Sequence, residues 1–241
     1  MRRIRLRTGR TALFIAMLAL ALVAFLPMRL MLGWVGLGDQ GMTARKVGGT
    51  IWSGSLTETR FGDVALGDLS AGLSPVQLLV GRARIHLAGR DDPPAPSVNG
   101  AITVSRHSLG IDDTNAAIPV GRAFAPLPIS AIDLTDVSVR FTDGACDRAE
   151  GRVRATLSGS IANVPVAQAM SGSVRCEGGA LLLPLAGQAG GEIANLRVWR
   201  DGRYRAELTL NPGDPAAGVG LQSAGFVQTQ QGWRFSVEGV F

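Results

Sequence analysis

The pattern of apolar and polar positions divides the chain into two parts: an uncharged apolar run near the N-terminus and a long region in which apolar and polar residues alternate. Residues 11–28, TALFIAMLALALVAFLPM, carry no charge, and Arg29 is the first charged residue after them. A helix of about 20 apolar residues covers the hydrocarbon core of a bilayer. The run therefore predicts a transmembrane anchor over residues 11–32, with residues 1–10 before it and a separate domain over residues 40–241.

From residue 40 onward, short segments alternate apolar and polar side chains and are separated by Gly, Pro, Asp and Asn. A period of two is typical of strands with one buried face. The clearest strand covers residues 129–141, and the clearest hairpin covers residues 194–210 around Asp201-Gly202. We predict a mainly β protein, with one N-terminal transmembrane helix followed by an extended or folded-over antiparallel β-sheet domain.

Weaker signals give further expectations. We expect strands over residues 42–47 and 50–57 joined at Gly48-Gly49, where positive φ is accessible. A strand is predicted over residues 76–87, while residues 74–79 and 164–170 also fit short helical turns. Residues 89–96 and 112–128 contain several prolines, which predicts loops and irregular structure because proline cannot donate to a sheet ladder.

Charge gives the orientation of the predicted anchor. The first ten residues hold five arginines and no acid: Arg2, Arg3, Arg5, Arg7 and Arg10. Positive charge stays in the cytoplasm on insertion, so residues 1–10 are expected to form a cytoplasmic tail and residues 40–241 to lie outside. In a bacterium, outside means the periplasmic side of the inner membrane. A cleaved signal peptide is the alternative.

The same arginines account for the basic character of the chain. Without them, 19 basic residues face 19 acidic residues, although the sequence pI is 10.4. Nucleic-acid binding needs a dense basic face, so nucleic acid is excluded as a partner. The two cysteines, Cys146 and Cys176, both lie on the predicted periplasmic side, where oxidising conditions favour a disulfide; two separately buried thiols are the alternative.

Motifs for catalysis and cofactor binding are weak. Residues 36–41, GLGDQG, match the letters of a dinucleotide fingerprint but follow no βα unit. No Walker A or nucleophile-elbow pattern occurs, and His86 and His107 lack the spacing of metal ligands to either cysteine. We therefore expect no catalytic, cofactor-binding or metal-binding residues and do not expect an enzyme.

Two motifs follow the predicted anchor in a fixed order. ARKVGGTIWSGSL places Gly49, Thr50, Trp52 and Gly54 in the pattern G-T-hydrophobic-W-x-G. About 20 residues later, LSPVQLLVGRARIHLAG carries the pattern P-x-x-L-L-x-G on Pro75, Leu78, Leu79 and Gly81. With the basic tail and single span, this plan resembles the N protein family of the type II (general) secretion pathway. The cysteine pair also looks like one found in some members.

The resemblance implies a non-catalytic component, anchored in the inner membrane, that aids export of folded proteins across the outer membrane and contacts other secretion subunits. The AsmA-like group of envelope proteins has similar openings, which leaves a lipid-handling or outer-membrane assembly module as the alternative. A periplasmic hydrolase is a third hypothesis and requires His86 or His107 beside a nucleophile. Trp52 is expected to be a packing anchor more than an exposed contact.

Overall fold

The alternating segments of the sequence form a series of antiparallel strands. The computed structural model describes residues 10–30, 42–61, 64–89, 97–120, 129–157, 159–161, 164–187, 191–214 and 217–240. The helices that lie wholly within these residues are α1 (Arg10–Ala24), α2 (Pro75–Leu79) and α3 (Ala217–Ser223). The strands are β1 (Met42–Thr43), β2 (Lys46–Thr50), β3 (Ser53–Phe61), β4 (Val64–Leu73), β5 (Ala83–Gly89), β6 (Val98–Val104), β7 (Ser108–Pro119), β8 (Ile129–Thr142), β9 (Ala145–Leu157), β10 (Ser160–Ile161), β11 (Val164–Pro165), β12 (Ala169–Ser173), β13 (Arg175–Glu177), β14 (Ala180–Gly187), β15 (Glu192–Val198), β16 (Arg203–Leu210), β17 (Val227–Thr229) and β18 (Gly232–Val240).

Nearly all strands belong to one meandering sheet. Its order is β1-β3-β4-β5-β6-β7-β8-β9-β12-β14-β15-β16-β18-β17, with β2 also on β3 and β13 also on β14. Most strands therefore pair with the next strand along the chain, which keeps the connections short. The prediction of a mainly β protein with an antiparallel sheet is confirmed.

Because the strands alternate in direction, successive connections lie at opposite ends of the sheet. We call the proximal end the one that contains the turn at residues 51–52, α2 and the turns at residues 105–107 and 143–144. The distal end contains the start of β8, the end of β9, and α3. Strand β8 has 14 residues and spans about 40 Å between the two ends.

One face of the sheet forms the main core. Alternate positions of β8, β9, β12, β14, β15 and β16 point to this face and are buried: Val137, Val139, Val153, Ala155, Met170, Leu183, Leu185, Leu196, Ala206 and Leu208. The opposite face of the same strands carries charged pairs such as Arg197 of β15 with Glu207 of β16. A smaller cluster of Met28, Leu56, Leu69 and Ala71 lies under the first strands.

Helix α1 has 15 residues, of which those from residue 11 to residue 24 belong to the predicted anchor. Its described apolar side chains are exposed. Among the described residues, no helix combines the length and apolar character required to cross a bilayer.

Three local predictions are wrong for identifiable reasons. The first hairpin reverses at Ile51-Trp52 and not at Gly48-Gly49, since Thr50 pairs with Ser53. The predicted strand over residues 76–87 begins only at Ala83, because Pro75 starts and Gly81 ends a short helix, which is the alternative noted for residues 74–79. The segment 112–128 was expected to be irregular, but residues 112–119 are the second half of β7, where register shifts absorb the polar residues. Residues 121–128 lie outside the described residues.

Two further predicted segments, residues 164–170 and residues 89–96, remain to be compared with the structure. Residues 164–170 form β11 and the start of β12 in place of a helical turn. The predicted loop at residues 89–96 lies, after Gly89, outside the described residues.

Candidate interaction surfaces

The segment that follows α1 is attached to the first hairpin of the sheet. The Ile51 N–H donates to the Leu26 carbonyl at 3.0 Å, and Pro27 forms an isolated antiparallel bridge with Thr50. The Trp52 indole Nε1–H donates to the Val23 carbonyl at 3.1 Å. These bonds fix the end of α1 to the proximal end of the sheet.

Met28 is the side chain that packs this segment onto the sheet. It is buried against Leu56, Leu69 and Ala71 in the smaller core cluster. Gly54 faces it, and a Cβ built on Gly54 would collide with the Met28 Sδ. Glycine at this position thus permits the close approach of Met28.

Helix α2 is a single turn with defined ends. Pro75 occupies the first helical turn, where its missing N–H costs nothing. At the other end Gly81 adopts φ +74°, its N–H bonds the Leu78 carbonyl, and the Arg82 N–H bonds the Gln77 carbonyl. This is a Schellman cap, which accounts for proline and glycine at the two ends of the second motif.

The two motifs are adjacent in space. The Leu73 N–H donates to the Ile51 carbonyl at 2.9 Å, and Leu73 is followed directly by the Ser74–Pro75 start of α2. Gly49 and Thr50 end β2, while Trp52 lies in the turn and is half-buried. Ile51 and Trp52 are both turn residues, and Ile51 is buried.

The apolar residues of α2 do not join either core cluster. Val76, Leu78, Leu79 and Val80 are 68%, 40%, 88% and 68% exposed, and we call these four side chains the α2 patch. Val104, at the end of β6 and paired with Ala83 at the start of β5, is 39% exposed. Exposed apolar side chains grouped in this way commonly mark an interaction site.

A disulfide joins Cys146 of β9 to Cys176 of β13, with the two Cα atoms 5.4 Å apart. It links two hairpins at the proximal end. Beside it, Glu177 accepts hydrogen bonds from Arg197 at 3.0 Å and Arg175 at 3.2 Å. The Arg197 bond, with a smaller contribution from Arg175, holds the pKa of the Glu177 carboxyl below its usual value.

Neither histidine lies in an arrangement typical of catalysis. His86 is exposed on β5, and His107 is exposed in a turn, where its Nδ1 lies 3.2 Å from the Asp143 Oδ1. Within the described residues, no hydrogen bond is found from either ring to a serine, threonine or cysteine, and no group of three or more metal-ligating side chains converges. The hydrolase hypothesis gains no support from this geometry.

The cavities differ in chemistry and size. A polar cleft of about 300 Å³ is lined mainly by Arg82, Arg84, Arg140 and Arg148 with Asp112, Asp113 and Glu150. On the core face, two apolar cavities of about 20 Å³ each lie among Ile129, Ala155, Leu185 and Ala194. Such volumes hold a water molecule and not an acyl chain. Two larger open pockets, of about 350 and 470 Å³, lie beside Pro212 and beside Ser171.

The last long strand leaves part of one edge unpaired. Strand β18 pairs with β16 from residue 233 to residue 240, but on its other side β17 covers only residues 232–234. Among the described residues, positions 235–240 therefore have one strand neighbour. Unpaired N–H and C=O groups of this kind are a template for another strand.

Some predicted positions cannot be placed, and some structural residues were not predicted. Arg2, Arg3, Arg5 and Arg7 lie outside the described residues, and Arg10 is the first residue of α1. Met28 was not singled out from the sequence, because its role depends on Gly54, which is 26 positions away and provides no apolar signal. The exposure of Leu78 and Leu79 could not be predicted from the sequence either, since leucines at helical spacing also occur in cores.

Comparisons with known proteins agree with the motif analysis. The family model described as type II secretion system, protein N matches residues 40–234. A relative from Vibrio cholerae serotype O1, named type II secretion system protein N, is 26% identical over 221 residues, which cover 85% of each chain. No solved structure matches this chain. The resemblance inferred from the two motifs is confirmed, and the chain belongs to the type II secretion system protein N family.

Proposed function

We propose that this chain is a non-enzymatic component of the type II secretion machinery, held on the inner membrane by its N-terminal segment with its sheet in the periplasm. In this role it aids export of folded proteins across the outer membrane by contacting other secretion subunits. The family match over residues 40–234 is the observation that carries the proposal.

The N-terminal segment supports the membrane part of the proposal. The side chains of α1 from residue 11 to residue 24 are exposed, and they are almost all apolar. Exposed apolar side chains along a helix are stable in lipid and costly in water. The five arginines before residue 11 favour a cytoplasmic N-terminus, which would leave the sheet in the periplasm.

The unpaired edge of the sheet supports a role in binding other proteins. A meander with an unpaired stretch at residues 235–240 offers backbone groups for strand addition by another protein. Glu238 is the one charged residue in that stretch, and Arg205 pairs with it. The edge therefore carries little of the charge by which natural sheets prevent strand addition.

A complementation assay tests this function. Deletion of the gene in its own bacterium should make proteins destined for the exterior accumulate in the periplasm, and the wild-type chain should restore export. The double variant His86→Ala/His107→Ala should restore export equally, because neither ring is part of a catalytic arrangement. Unchanged export after deletion would contradict a secretion role, and failure of a stably expressed double variant would contradict the non-enzymatic role.

A further inference from the structure

We propose that the α2 patch is a second membrane contact, inserted into the outer leaflet of the inner membrane beside the point where the N-terminal segment leaves it. The partner is a phospholipid surface. The inference goes beyond the proposed function and relies on it only for the choice of membrane.

The first argument is the composition and exposure of α2. Four of the five residues from Val76 to Val80 are apolar and exposed, and none of the helix is buried against the sheet. The caps at Pro75 and Gly81 fix the turn, so the exposed side chains are held in place without support from a core. Interfacial segments of membrane-bound proteins bury their apolar side chains about 5–10 Å deep, at the boundary between headgroups and acyl chains. The exposed apolar side chains of α2 are suited to the same mode of binding.

The second argument is position. The end of α1 is bonded to the turn at Ile51 and Trp52, and Ile51 is bonded to Leu73, which leads into α2. Two backbone hydrogen bonds, from Ile51 to Leu26 and from Leu73 to Ile51, together with the Trp52 indole bond, thus place α2 next to the exit of α1. If α1 lies in a bilayer, α2 is constrained to its surface. The other short helix, α3, lies at the distal end of the sheet and has no such connection.

The third argument is charge. Residues 73–84 and 101–108 include Arg82, Arg84 and Arg106 and contain no acid. Arg82 directly follows the α2 cap and is exposed, and Arg106 is exposed in the neighbouring proximal turn. Arg84 is engaged by Asp112 at 3.7 Å. Arg82 also lines the polar cleft that contains Asp112, Asp113 and Glu150. Exposed guanidinium groups at these two positions are suited to lipid phosphates, which attract arginine near a membrane surface.

Site-specific fluorescence in the full-length chain tests the contact. Leu79→Cys, Val219→Cys and Leu18→Cys would each carry an environment-sensitive label, since Cys146 and Cys176 are joined and do not react. The labelled chains would be reconstituted into vesicles of phosphatidylethanolamine and phosphatidylglycerol containing a nitroxide-labelled lipid. Val219 is the matched control, because it is an apolar residue on a short helix and is 77% exposed.

The expected result is a loss of emission at position 79 that approaches the loss at position 18 and is several-fold larger than at position 219. Equal, weak quenching at positions 79 and 219 would overturn the inference. Shielding of position 79 from aqueous iodide without quenching by the nitroxide lipid would also overturn it, since a second copy of the chain would then cover the patch. Position 18 reports separately on the anchor, so failure of anchoring is distinguishable from failure of the α2 contact.

Discussion

At the scale of single residues, Gly54 controls how closely the N-terminal segment approaches the sheet. A Cβ at this position would overlap the Met28 Sδ and lie 3.2 Å from the Thr50 carbonyl oxygen. Overpacking of a tight contact costs about 1–3 kcal/mol. We expect Gly54→Ala to lower the free energy of unfolding by that amount, measured by thermal or denaturant unfolding followed through tryptophan fluorescence.

Two variants make this prediction specific. Gly213→Ala should be nearly neutral, because a Cβ there meets no atom within 4 Å. Met28→Ala removes the colliding side chain, so the cost of Gly54→Ala should fall markedly in that background. Additive effects of the two substitutions would contradict the proposed contact.

The disulfide is a second residue-level feature with a measurable effect. Cys146 and Cys176 are 30 positions apart, and closing a loop of that size stabilises a fold by about 3–4 kcal/mol in the loop-entropy description. We expect the double variant Cys146→Ser/Cys176→Ser to melt at a lower temperature than the oxidised wild type. Reducing agent should lower the melting temperature of the wild type alone; an unchanged melting temperature in the variant would contradict a stabilising role.

Glu177 gives a pH dependence whose sign follows from its lowered pKa. The two arginines favour the ionised carboxyl, so its contribution to stability is fully present above the ordinary pKa of 4.5 and is lost as the pH falls through the lowered folded-state value. We expect a small difference in melting temperature between wild type and Glu177→Gln at pH 7 that disappears at lower pH. High salt at pH 7 should also reduce it, and a difference that grows on acidification would contradict this reading.

At the scale of elements, the unpaired edge of β18 is expected to bind another protein, and this can be tested by substitution. Ser236 and Val240 are exposed in the stretch that lacks a second strand neighbour. Lysine on an edge strand opposes strand addition. We expect Ser236→Lys/Val240→Lys to reduce export in the complementation assay without lowering the amount of folded protein.

The matched control for the edge is Val219→Lys, an equally exposed valine at the distal end that lies on α3 and not on an edge strand. It should leave export unchanged. Equal export by the edge variant and the control would exclude β18 as a binding edge.

How well elements can be predicted depends on whether local signals agree with distant contacts. β8 and the hairpin at residues 194–210 were predictable, because alternation and turn residues specify them locally. The first hairpin was not, since two glycines suggested a turn. The actual reversal at Ile51-Trp52 is stabilised by hydrogen bonds that these two residues donate to the Leu26 and Val23 carbonyls. The second half of β7 was obscured by Asp112, whose carboxylate accepts a bond from Thr103 on β6.

At the scale of the whole molecule, the sheet has two ends with different surroundings. The proximal end receives α1 and carries the α2 patch, while the distal end carries α3 about 40 Å away along the longest strand. The predicted division into a tail at residues 1–10, an anchor at residues 11–32 and a domain at residues 40–241 stays a prediction. It agrees with the proposed orientation of the sheet, with the proximal end towards the membrane.

The two motifs predicted the family of this chain, but not their own arrangement in space or the packing of the sheet. The two motifs were recognisable as letters, yet their proximity depends on the bond from Leu73 to Ile51, which joins residues 22 positions apart. The curvature of the sheet and the filling of its core face could not be read from alternation alone, because a lipid groove and a closed core use the same pattern.

The most direct test of the central claim is affinity purification of the full-length chain from its own membranes in mild detergent, followed by mass spectrometry of proteins and lipids. The account predicts co-purification of other type II secretion subunits in reproducible ratios, and their loss with Ser236→Lys/Val240→Lys but not with Val219→Lys. Phospholipid in stoichiometric amount with no secretion subunit would contradict the account and favour the lipid-handling alternative.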